Sequence, residues 1–110
     1  MRMLIAAGAL AVLSACATPE PAALRTRGHD IAATQCGSCH AVGRTGESSA
    51  PEAPPFRTLS RNYRVDTLQE ALAEGISVGH PAMPQFQFAP EDVDALVDYL
   101  QSIQEAPVAR

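Results

Sequence analysis

Lysine is absent from this chain of 110 residues: every one of its eight basic residues is Arg, set against twelve acidic ones, for a formal charge of −4. So little positive charge excludes an electrostatic footprint for nucleic acid or anionic lipid headgroups and favours partners with basic docking surfaces. Tryptophan is also absent, and the aromatics are three Phe and two Tyr. The hydrophobic content of 46% is inflated by Ala, so side chains alone make a marginal core, and a metal, disulfide or cofactor is expected to supplement it. The length excludes a second domain. Period-two alternation never lasts beyond a few residues, so the chain reads as all-α with long loops.

What is present starts with Arg2 and an uncharged apolar run, Leu4 to Leu13, too short to span a bilayer. It reads as an export signal. The run ends in Leu13-Ser14-Ala15-Cys16, which resembles a bacterial lipobox, so residues 1–15 are expected to be a lipoprotein-type signal peptide and Cys16 a lipidated first residue. Cleavage after Ala15-Cys16-Ala17 is the competing reading and gives a soluble periplasmic protein. Either route leads to the periplasmic side of the envelope, and loss of Arg2 takes the formal charge from −4 to −5. Residues 16–23, rich in Pro, read as a tether, and residues 24–106 as the folded domain.

Within that domain Leu24, Gly28, Ile31 and Ala32 recur at helical spacing. A Gly inside a helix costs about 1 kcal/mol relative to Ala, which suggests a close backbone approach at Gly28. From Ala41 to Pro55 the chain is dense in Gly, Ser and Pro and is expected to be a loop wrapped around something. Asp66 and Gln69 have the form of a capping box, opening a short helix with Leu68, Ala71 and Leu72 that Gly75 ends. Pro90-Glu91-Asp92 starts the most secure helix, with Val93, Leu96, Val97, Leu100 and Ile103 as its stripe.

The chemistry centres on Cys36-Gly37-Ser38-Cys39-His40. This is the spacing that attaches haem to a polypeptide: two thiols form thioethers with the vinyl groups, and the adjacent His40 reaches the iron. A thioredoxin-like pair would want a βαβ context, a zinc site would want four ligands where only His29 and His80 remain, and a structural disulfide would not need His40. With lipid on Cys16 and haem on Cys36 and Cys39, the odd total of three cysteines leaves none over. For the opposite axial position Met83 is preferred, being the only Met after the leader and held between Pro81 and Pro84. His80 is the rival, but it precedes a proline that points the chain away.

On these residues the chain resembles the monohaem class I cytochromes c from Leu24 to Gln104: a first helix running into Cys-x-x-Cys-His, a Pro-containing loop, a Met-Pro loop, and a last helix with Tyr99-Leu100. The resemblance implies a small class I fold, three to four helices with long loops around one covalently bound haem c. It implies that Gly28 packs on Tyr99 where the terminal helices cross. It also implies that a loop Pro carbonyl, Pro55 with Pro54 as rival, accepts a hydrogen bond from the His40 ring. The Lys ring by which mitochondrial members dock is missing, and the absence of Trp leaves Arg57, Arg61 and Tyr63 as the residues to look to for the propionates. Leu59, Leu68, Leu72, Ile76, Phe86 and Leu96 are expected to line an apolar pocket. With His and Met on the iron no site is vacant, so the expectation is a one-electron carrier with redox partner proteins and no small-molecule substrate. The alternatives are a haem subunit of a dehydrogenase or oxidase complex, or a sensor or catalyst with an open iron site. No catalytic residue set is apparent.

Overall fold

The structure, a computed structural model, describes residues 10–14, 16–18, 20–75 and 80–105. Three α-helices and two short 3₁₀ segments make up its regular structure, with no strand among the described residues. Helix α1 is Pro21–Gln35, α2 is Leu68–Glu74 and α3 is Pro90–Ser102, with 3₁₀ segments at Phe56–Arg61 and Val65–Thr67. Helix α1 starts before Leu24, inside the stretch expected to be tether. Pro21 sits in its first turn, where the ring's fixed φ suits the helix and the missing N–H costs nothing.

Helix α3 carries the core. Val93, Ala95, Leu96, Val97, Tyr99 and Leu100 are buried along it, whereas α1 buries only Gly28 and Ala32. Helix α1 thus owes its place to a narrow seam on α3. A Cβ added at Gly28 would collide with the Ala95 carbonyl oxygen and lie 2.6 Å from the Tyr99 Cβ. The expected meeting of Gly28 with Tyr99 is present, with the Ala95 backbone closer still. Arg25 to Asp98 and Arg27 to Asp92 form ion pairs between the two helices. Exposed pairs of this kind add little each, so apolar packing at the seam dominates.

The capping box expected at Asp66 and Gln69 does not form. Thr67 precedes α2 without a side-chain cap, and the Asp66 carboxylate is taken by Arg64 at 2.7 Å. Helix α2 ends at Gly75 as expected. The core joins Ala32, Phe56, Leu59, Val65, Leu96, Tyr99, Leu100 and Ile103. Beyond α3, the Gln104 amide donates to the Phe56 and Leu100 carbonyls and accepts from the Ser60 N–H, fastening the 3₁₀ segment to the last helix. Leu10, Val12 and Leu13 are 93%, 88% and 89% exposed and contribute nothing to this core. Residues 1–9 and Ala15 of the expected signal peptide, together with Pro19, Ile76 and Gly79, lie outside the described residues.

Candidate haem site

The Cys-His segment continues α1 as one more turn. The Cys36 N–H donates to the Ala32 carbonyl at 2.9 Å and the His40 N–H to the Cys36 carbonyl at 3.0 Å. Residues three and four apart on such a turn share a side, which groups Cys36, Cys39 and His40. Even a Cβ at Gly37 would run into the Ala33 carbonyl oxygen, so this turn as it stands closes only with Gly after Cys36. Cys36, Cys39 and Cys16 are free thiols. Burial pushes the Cys36 thiol up to about 11, opposite to the lowered value that a redox-active or thiolate-ligand cysteine requires.

The loop from Ala41 to Pro55 is sewn to this turn. The Ala50 N–H donates to the Cys39 carbonyl at 3.1 Å, the Phe56 N–H to the Ala41 carbonyl at 2.9 Å, and the Ala41 N–H to the Ser48 hydroxyl at 3.0 Å. Its tip delivers a backbone carbonyl to the His40 ring, with Nδ1 at 2.8 Å from the oxygen of Pro54. A carbonyl only accepts, so Nδ1 carries the proton and Nε2 is left as a lone-pair donor. The expectation named Pro55 with Pro54 as its rival, and the structure places the rival's oxygen on the ring. The Pro55 oxygen accepts instead from the Thr58 N–H and hydroxyl at the start of the 3₁₀ segment. The Phe56 ring packs against the imidazole, tilted by 36° with centroids 4.7 Å apart.

Met83 is half-buried, and its N–H donates to the His80 carbonyl at 2.9 Å in a turn flanked by the prolines. His80 has both ring nitrogens engaged: Nδ1 accepts from the Ala82 N–H at 3.1 Å and Nε2 is 2.8 Å from the Glu52 carboxylate. Phe86, also half-buried, stacks on Phe88 at 5.3 Å.

The other expected pocket residues divide. Leu68 and Leu72 are partly buried against the core and keep apolar surface to offer, whereas Leu59 and Leu96 are 8% and 1% exposed and are core residues. The Arg57 guanidinium donates to the Glu105 carboxylate at 3.1 Å and the Gly46 carbonyl at 2.7 Å, and Arg61 joins it on Glu105 at 2.8 Å. Tyr63 stands 52% exposed. Val42 and Phe88, partly buried beside the core with the expected stripe residue Ile31, escaped sequence reasoning. Apolar residues flanking a motif carry no signal that distinguishes a cofactor contact from core packing. Gly37 carried one, as a Gly between the two cysteines.

Two free thiols on one turn, an imidazole with its outer nitrogen unprotonated, and half-exposed apolar side chains around them fit a covalently attached haem. Bound there, haem c supplies a metal that accepts and returns one electron. Fold and site define a c-type cytochrome, an electron-transfer protein rather than an enzyme, working with redox partner proteins in the cell envelope. The family model described as "Cytochrome C oxidase, cbb3-type, subunit III" matches residues 23–100, and the chain belongs to that family. It is also 28% identical over 99 residues to the protein named cytochrome c-552 of Bradyrhizobium diazoefficiens, an alignment covering 88% of this chain and 93% of that relative. No solved structure matches it. No described helix is long and apolar enough to cross a membrane.

Proposed function

We propose that the chain is a tethered one-electron carrier whose haem is attached through Cys36 and Cys39 and ligated by His40 and Met83. The observation that carries the reading is the Nδ1 hydrogen bond from His40 to Pro54 at 2.8 Å, which orients the ring and leaves Nε2 for a metal. His80, the rival ligand, has no free nitrogen. Held by the His40 imidazole and the Met83 thioether, the haem iron would favour its reduced state and would suit outer-sphere electron transfer. Lipid on Cys16, five residues before α1 begins at Pro21, holds the domain close to the periplasmic face of a membrane. The partner that fits the acidic, lysine-free chain presents a basic patch.

Changing Met83→Ala tests the axial pair. The oxidised variant is expected to lose the weak near-infrared band of Met-ligated haem, its potential is expected to fall, and its reduced form is expected to bind carbon monoxide. A spectrum unchanged from the parent protein would rule Met83 out and favour an iron with an open site. The second reading, a fixed haem subunit of an oxidase complex, is favoured by the description of the matching family. Stoichiometric co-purification with a larger oxidase subunit would select it.

A further inference from the structure

The two loops that serve the haem come from separate parts of the chain. Residues 41–55 bring the Pro54 carbonyl to His40, and the segment from His80 to Ala89 carries Met83. Among the described residues no backbone hydrogen bond joins them. One side-chain contact does, between His80 Nε2 and the Glu52 carboxylate at 2.8 Å. The ring making that contact is itself aligned from within its own loop, because Nδ1 accepts the N–H of Ala82, the residue before Met83, at 3.1 Å. An accepting Nδ1 has no proton, so Nε2 has one and donates it to the carboxylate. Pro81 separates the two halves of this arrangement and limits the turn's other conformations. The His80 carbonyl meanwhile accepts the Met83 N–H at 2.9 Å, so the residue that reaches Glu52 also shapes the backbone of Met83.

We propose that Glu52 and His80 are positioning residues, a clip that ties the Met83 loop to the loop orienting His40 and so holds the thioether toward the metal. The inference rests on the axial reading above and adds to it the control of how often the Met83 loop lifts away. The physical basis is entropic. A ligand on a short loop dissociates when the loop samples open conformations, and a contact that exists only in the closed arrangement reduces their population. Glu52 and His80 are half or more exposed, so their contribution is that of a solvent-screened pair, small in stability and visible in loop opening.

The test uses the haem-loaded protein and imidazole as probe, since imidazole takes the metal position only after Met83 leaves. The loss of the near-infrared band with time after mixing reports that departure. Glu52→Ala is expected to speed it about two- to five-fold, the range an exposed pair supplies, with the midpoint of urea unfolding nearly unchanged. In a His80→Ala background the same Glu52→Ala change is expected to add nothing, because its partner is gone. Equal acceleration in both backgrounds, or none in the parent, would overturn the clip while leaving Met83 as ligand. A parent protein without the near-infrared band would overturn the axial reading and the clip together.

Discussion

Gly28 is the residue at which local preference and tertiary need disagree most clearly. A helix interior prefers Ala by about 1 kcal/mol, yet any Cβ there meets the backbone of Ala95 and the Cβ of Tyr99. Backbone cannot rotate aside as a side-chain tip can, so α1 would have to lift off α3 to admit even one carbon. Gly28→Ala is therefore expected to destabilise the loaded protein by about 1–3 kcal/mol, the usual cost of overpacking, read as a lower urea midpoint with haem bands unaltered. His40 shows the opposite case, where the local motif is sufficient for the residue's identity but not for its orientation. The ring's proton is placed by Pro54, fourteen residues away in the chain. Two adjacent prolines offered two carbonyls of equal merit, and the start of a 3₁₀ segment consumed that of Pro55.

At the scale of elements, α3 organises the domain because it alone presents apolar residues on a broad stripe. Its Tyr99 also reaches beyond the helices: the phenol donates to the Val42 carbonyl at 2.5 Å, pinning the chain just after the Cys-His turn to the helix crossing. The His29 ring meets Tyr99 edge-on at 5.4 Å from the other side. Burial raises the Tyr99 phenol above its ordinary value of 10.0, and the nearby Arg44 offsets only part of that rise. The sign of the pH effect follows. Below the ordinary value both folded and unfolded states keep the proton and Tyr99 contributes no slope. Above it the unfolded chain releases the proton first, so stability falls with rising pH until the folded phenol ionises too. Urea unfolding of the loaded protein from about pH 8 to about pH 11 should show this alkaline decline, and Tyr99→Phe should flatten it. Loss of the bond to Val42 should also lower the stability of Tyr99→Phe by about 1 kcal/mol at neutral pH.

At the scale of the whole molecule, charge is the distinguishing property. Arg25, Arg27, Arg57, Arg61 and Arg64 are all engaged by carboxylates, which leaves little free positive potential on the surface. Glu70, Glu74, Glu91 and Asp94 are exposed and make no ion pair among the described residues. A field of this sign accelerates encounters with basic partners and slows those with acidic ones, and salt screens both. Stopped-flow electron transfer to a basic redox protein should therefore slow by about tenfold as salt is raised from low to high ionic strength. Transfer to an acidic redox protein should speed up instead. A salt-independent rate with the basic partner would remove net charge as the docking principle.

By itself the sequence determined the all-α class, the Cys-x-x-Cys-His turn, the proline-flanked turn at Met83 and the last helix, while the crossing at Gly28 was implied by the family resemblance. Each of these is written in residues close together in the chain or in residue types with few other uses: Cys-x-x-Cys-His, a Met between prolines, an apolar stripe with the helical period. Tertiary structure alone decided the questions in which several residues of the same type competed. It chose Pro54 over Pro55, drew Asp66 to Arg64 rather than into a capping box, and paired Arg57 with Glu105 and Gly46. It also brought Glu52 to His80. Polar side chains and carbonyls have many acceptable partners at nearly equal free energy, so their pairing is settled only by which of them the packed core brings within hydrogen-bonding distance.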